Sequence, residues 1–157
     1  MIEIGIIQSL KVVKRTNFGV YLSDGSEERV LLPRKQVPEF VNTGDAIEVF
    51  VYRDSSDRLI ATTTKPYITV GNVAALKVKE VTKIGAFLDY GLERDLLLPF
   101  KEMTERVHEG KEYLVAMYVD RSGRLAATMK LDDYLTEAEI YGRDAQVEGT
   151  IYEINED

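Results

Sequence analysis

Every residue from Gly5 to Thr62 overlays the residue 66 positions later without a gap, so the chain carries one sequence written twice. The coincidences fall where backbone geometry or burial restricts choice. Gly5, Gly19, Gly25 and Gly44 fall on Gly71, Gly85, Gly91 and Gly110, and Leu31, Leu32 and Pro33 fall on Leu97, Leu98 and Pro99. The string Asp54, Ser56, Arg58, Leu59, Ala61, Thr62 returns as Asp120, Ser122, Arg124, Leu125, Ala127, Thr128. Repeats of about 20–50 residues cannot bury a core alone and must stack, whereas a unit of about 60 can close a small core of its own. The period therefore predicts two autonomous domains, residues 1–65 and 66–130, followed by a connector over 131–144 and a final segment over 145–157.

Within each copy apolar residues alternate and β-branched residues are frequent, as in Ile47, Val49, Val51 and in Tyr113, Val115, Met117, the two-residue period of a half-buried strand. Turn residues divide the first copy into strands near 2–14, 19–22, 29–32, 46–53 and 58–63, and the second copy into the same set, opening at Asn72 to Glu80. Five strands in about 60 residues, with a short irregular stretch between the third and fourth, predict an all-β fold of two tandem five-stranded OB-type Greek-key barrels. The joint Lys65-Pro66-Tyr67-Ile68-Thr69-Val70 is short, stiffened by proline and partly apolar, so the barrels are expected to pack closely. In the second joint Leu131, Tyr134, Leu135, Ala138 and Tyr141 recur at helical spacing, with Thr136 and Glu139 as a capping box and Gly142 as a stop, which predicts a short helix.

The absence of cysteine excludes a disulfide framework and cysteine-ligated zinc. A lone histidine, His108, in a polar turn leaves no material for a nucleophile–histidine pair or a histidine metal cluster, so neither catalysis nor a metal or other cofactor is expected. No stretch approaches the about 18 apolar residues of a membrane span, and the first residues lack a signal-peptide pattern, which predicts a cytoplasmic protein. The net charge of −7 argues against a polyanionic partner only until it is mapped. Residues 1–65 hold nine basic and nine acidic side chains, residues 66–130 ten and nine, and residues 131–157 one and nine. The repeats are thus neutral, and what matters is whether their cations share a face.

The ordered set Gly5, Ile7, Leu10; Phe18, Gly19, Tyr21; Leu31, Leu32; Gly44, Asp45; Asp54, Arg58, Leu59 resembles the RNA-binding domain named after ribosomal protein S1. The second copy repeats it as Gly71, Val73, Leu76; Ile84, Gly85, Phe87; Leu97, Leu98; Gly110; Asp120, Arg124, Leu125. Gly149, Ile151 and Ile154 open the pattern a third time, so residues 145–157 read as the first strand of a further domain of a longer protein, expected to be disordered here or paired with a neighbouring chain. Tandem copies with proline at the Leu-Leu-x position, and the connector LDDYLTEAEIYGRD, are similar to the bacterial family called conserved virulence factor B. That resemblance implies several such domains followed by a winged-helix domain, and a regulator of gene expression whose partners are single-stranded RNA and proteins of the RNA or transcription machinery.

Recognition of a single strand needs aromatic faces for bases and cations along phosphates. Phe18 and Tyr21 are the stacking candidates. Strict alternation would separate them, but Gly19 between them is where a bulge or a loop-to-strand kink comes easily. Arg58 is expected beside them, oriented or capped by Asp54, and Arg34 and Lys35 lie where the S1 family's usual histidine would be. The second copy offers Phe87 with Lys83, Phe100, Lys101 and Arg124, but has Ile84 in place of Phe18. Tyr52 and Tyr118, out of phase with the core residues of the fourth strand, are expected to pack against the connectors, the alternative being that they stand exposed as stacking residues. The rival reading is a protein-interaction scaffold whose barrels have drifted from RNA binding.

Overall fold

The alternation resolves into ten strands in the computed structural model, which describes residues 1–134. Strands β1 (Ile7–Thr16), β2 (Gly19–Ser23), β3 (Val30–Pro33), β4 (Ala46–Arg53) and β5 (Leu59–Thr62) form the first barrel. Strands β6 (Val73–Thr82), β7 (Gly85–Asp89), β8 (Leu96–Pro99), β9 (Glu112–Val119) and β10 (Leu125–Thr128) form the second. Each closes in the order first, second, third, fifth, fourth. Pairing is antiparallel except between third and fifth, where Leu31 lies beside Ile60 and Leu97 beside Ala126. Closure removes the open edges that a five-stranded sheet would otherwise expose.

The cores match residue for residue at the 66-residue offset. Leu10, Val12, Val20, Leu22, Val30, Leu32, Val49, Val51 and Ala61 fill the first barrel, and Leu76, Val78, Ala86, Leu88, Leu96, Leu98, Val115, Met117 and Ala127 fill the second. A 3-10 turn follows the third strand in both copies, at Arg34–Gln36 and Phe100–Glu102.

Two local expectations are corrected. The first strand begins at Ile7, not Ile2, because Gly5 turns the chain at φ 85 and gives its N–H to the Val51 carbonyl at 2.7 Å; Ile2 is buried in the core without belonging to a strand. The second barrel's first strand likewise runs from Val73 and not Asn72. Of the two devices expected at Gly19, a bulge or a loop-to-strand kink, the kink is the one present, since pairing runs without interruption from Gly19–Pro33 to Tyr21–Leu31. The register slips instead in β1, between Val12 and Lys14, opposite Tyr21 and Leu22, and at the equivalent place between Val78 and Glu80. The bulge therefore coils the long strand around the barrel, while Gly19 supplies the kink at the loop-to-strand junction.

The barrels share an apolar seam. Phe50 lies on the outward phase of β4, between core residues Val49 and Val51, yet it is 1% exposed because it packs into the second barrel's cluster. Its ring meets Tyr90 edge-on at 6.5 Å and stacks on Tyr52 at 6.2 Å. Polar contacts frame this plug. The Val70 N–H donates to the Gly5 carbonyl at 2.8 Å, the Arg53 Nε to the Gly123 carbonyl at 3.0 Å, and Arg94 to the carbonyls of Arg53 and Asp54. Asp57, held at φ 66 where the second copy has Gly123, grips Arg124 with both carboxylate oxygens at 3.0 Å. At the other end Leu131 is buried against Ala116, and Tyr134 packs beside them. The rest of the expected connector helix and the segment 145–157 lie outside the described residues.

Candidate nucleic-acid interface

On the outward face of the first barrel the register lines up Tyr21, Leu31, Ile60 and Tyr52 across β2, β3, β5 and β4. All four are partly exposed, so the row is an apolar strip open to solvent. Phe18 stands at one end, in the turn before β2, 78% exposed. Arg34 is tied to that turn, since its N–H donates to the Phe18 carbonyl at 2.8 Å, and its exposed side chain lines a shallow cavity with Arg15, Thr16 and Asn17. Arg58 stands two positions before Ile60, just ahead of β5, with its side chain 77% exposed.

Asp54 does both things expected of it. Its carboxylate accepts the N–H groups of Ser56 at 2.9 Å and Arg58 at 3.0 Å, capping the turn, and lies 3.3 Å from the Arg58 guanidinium. The Arg58 N–H, then that of Ser56 and the guanidinium charge, hold this carboxyl below the usual carboxylate range despite some opposing burial. A depressed folded pKa means that the stabilisation is present above the ordinary value of about 3.9 and is lost as pH falls through the lower folded value. In an amide-resolved NMR titration from pH 5 downward, the Ser56 and Arg58 N–H signals should therefore move with a midpoint below about 3.9. A midpoint at or above that value overturns the capping assignment.

Two expected cations are engaged across the seam. Lys35 pairs with Glu93 of the second barrel, which holds its ammonium above the usual range, and Arg124 pairs with Asp57 of the first. Lys83 and Lys101 are exposed, and Phe100 is half exposed at the head of its 3-10 turn. Phe87 pairs with Leu97 at the place of Tyr21, and Ile84 is 55% exposed at the place of Phe18. Unlike their first-barrel counterparts, some of these positions also face the neighbouring barrel. Ile84, Phe87, Leu97 and Arg124 line a cavity of about 240 Å³ whose other walls include Tyr52 and Arg53 of the first barrel.

Tyr52 does not pack against a connector. It stacks on Phe50 and also walls a second inter-barrel cavity, of about 300 Å³, with Ile60, Lys35 and Glu93, and burial pushes its hydroxyl pKa up. Tyr118 lines a pocket with Asp133 and Tyr134 at the start of the connector. Sequence reasoning missed Phe50, Arg53 and Arg94 as seam residues. A signal was present in the copy-to-copy comparison, since an outward Phe50 stands where the second copy has Ala116.

A pair of closed five-stranded barrels with this strand order defines an OB-fold tandem. The S1 domain family matches residues 4–64 and again 70–130, and the chain belongs to that family. The uncharacterized protein YitL of Bacillus subtilis (strain 168) is 29% identical over 136 residues, covering 82% of this chain and 45% of YitL. Conserved virulence factor B of Staphylococcus saprophyticus is 27% identical over 132 residues, covering 80% of this chain and 44% of the relative. The chain thus spans a little under half the length of these relatives. Among solved structures, a multidomain protein with nucleic acid binding domains from Streptococcus pneumoniae superposes with a TM-score of 0.69 at 17% identity, over 88% of this chain and 48% of the other, a likeness of fold. Among the described residues no helix is long and apolar enough to cross a membrane.

Proposed function

We propose that this chain is a non-catalytic module that binds single-stranded RNA, acting in the bacterial cytoplasm as part of a longer regulator of gene expression. The observation that carries the reading is the outward strip of the first barrel, where exposed Phe18 beside Arg34 and partly exposed Tyr21 lead to Leu31 and Ile60, with Arg58 two positions before Ile60. Rings supply stacking surface to any base, and guanidinium groups meet phosphates. Membership of the S1 family supports the ligand class, the likeness of fold to a structure described as having nucleic acid binding domains agrees with it, and the regulatory role rests on the resemblance to the family of conserved virulence factor B alone. The acidity that would oppose an RNA partner resides in residues 131–157, away from this face in sequence.

The test is anisotropy of labelled homopolymer RNA, single-stranded DNA and duplex RNA over a range of salt. Single-stranded RNA should bind most tightly, with an affinity that falls steeply as salt rises. Tyr21→Ala should lose about 1–3 kcal/mol of binding with an unchanged salt slope, because a ring releases no counterions. Arg58→Ala should flatten the slope by about one unit. Both variants should unfold thermally as the parent does, the two side chains being on the outer face. No RNA binding, or binding untouched by Tyr21→Ala, overturns the assignment and favours a protein-interaction scaffold.

A further inference from the structure

The second barrel has lost one of its paired rings, at Ile84, and the cavity over its face is walled by a ring from the first barrel. We infer that the seam is itself a nucleotide-binding seat, in which Tyr52 of the first barrel and Phe87 of the second together hold one base of a single RNA strand. This rests on the RNA reading above and deepens it.

Three observations converge. Tyr52 and Phe87 line one cavity together with apolar Ile84, Leu97 and Ala126, a floor suited to a flat heterocycle. Tyr52 is also the last member of the first barrel's outward row, after Tyr21, Leu31 and Ile60, and walls the neighbouring cavity that holds Ile60. A strand that follows that row arrives at the seam without leaving aromatic or aliphatic surface. The charge of the walls suits a phosphate. Arg53 donates to the carbonyls of Gly123 and Asp57, and Arg94 to those of Arg53 and Asp54. Carbonyls orient a guanidinium without cancelling its charge, so both arginines are fixed in place and still positive. Of the acidic groups lining the same cavity, Asp95 is balanced by the Lys79 ammonium at 3.0 Å, and Asp120, which accepts the N–H groups of Ser122 and Arg124, keeps its charge, one carboxylate against the two fixed guanidinium groups.

The two barrels are on this account one binding unit. A stacked base is worth about 1–3 kcal/mol, or roughly 5- to 150-fold in affinity. In anisotropy titrations of a labelled oligouridylate with the full chain, Tyr52→Leu and Phe87→Leu should each weaken binding at least about fivefold. The double variant should be no more than about threefold worse than the weaker single one, because two rings on one base are coupled. Tyr52→Phe, which keeps the ring and its packing on Phe50, should bind as the parent does. The independent readout uses the parent alone: photocrosslinking of a 4-thiouridine oligomer, mapped by peptide mass, should mark Tyr52 or Phe87. Crosslinks confined to the region of Phe18 and Tyr21, or Tyr52→Leu binding within twofold of the parent while Tyr21→Ala is weakened, overturn the seat and leave the RNA reading standing. Failure of the parent to bind any RNA removes the RNA reading itself, and the seat with it.

Discussion

Phe50→Ala is expected to cost about 3–5 kcal/mol and to split one cooperative unfolding transition into two. The magnitude follows from a fully buried aromatic ring whose removal leaves a void that flanking β-strands, fixed by their ladders, cannot fill. What sets this position apart is where the loss falls. Phe50 belongs to β4 of the first barrel but packs among core residues of the second, against Tyr90 and beside Tyr52, so the void opens on the seam side and the first barrel's own core keeps all its members. The polar contacts that remain at the seam are partly exposed, and exposed ion pairs such as Arg124 with Asp57 are worth at most about 1 kcal/mol. They cannot hold two domains in one cooperative unit without the plug. Denaturant unfolding followed by both far-ultraviolet dichroism and tyrosine fluorescence decides the matter: the parent's two curves should coincide and the variant's should separate. A single transition shifted by less than about 1 kcal/mol would show that the seam is not what couples the barrels.

The fate of Phe50 also shows where sequence reading stops. Alternation sorts residues into two faces of one strand, and the positions read that way in the fourth strand of each copy, Val49 with Val115 and Val51 with Met117, are buried. Phe18, Tyr21 and Arg58 are legible on other grounds, the resemblance to the S1 domain and the Gly19 between the two rings, since strict alternation would set those rings on opposite faces. Alternation says nothing about what covers an outward face. Whether Phe50 meets solvent or a neighbouring barrel depends on the angle set by the six-residue joint, and that angle is fixed by contacts such as Val70 with Gly5 that no periodicity encodes. The partners of Lys35 and Arg124 are hidden likewise, lying 58 and 67 positions away in the other copy. The bulge escaped because a register slip needs only one extra residue of any type, and β1 has no residue that marks it.

Gly19→Ala is expected to destabilise the first barrel by roughly 3–5 kcal/mol, enough to leave a domain of this size largely unfolded. Two effects add. At φ 145 the backbone lies where an L side chain is strained, and a β-carbon built there would sit 2.1 Å from the Leu32 carbonyl oxygen and 2.8 Å from the Arg34 nitrogen. Both obstacles are main-chain atoms, so no side chain can swing away to relieve the clash. They move only if β2 separates from β3 at the Gly19–Pro33 pair. Gly25→Ala is the control, since Gly25 also has positive φ, at 100, but its β-carbon would meet nothing within 4 Å; it should cost about 1–2 kcal/mol. The same close approach reaches the binding face. With β2 pressed against β3, the Phe18 carbonyl accepts the Arg34 N–H and the ring projects outward at the end of the Tyr21 row. Any Gly19 variant that retains its fold at low temperature should consequently bind single-stranded RNA more weakly than its stability loss explains. Thermal melts of the two alanine variants measure the first effect and anisotropy at 5–10 °C the second. A Gly19→Ala protein that melts within a few degrees of Gly25→Ala would mean that the barrel can open at this corner, and that the geometry of the aromatic pair is not set there.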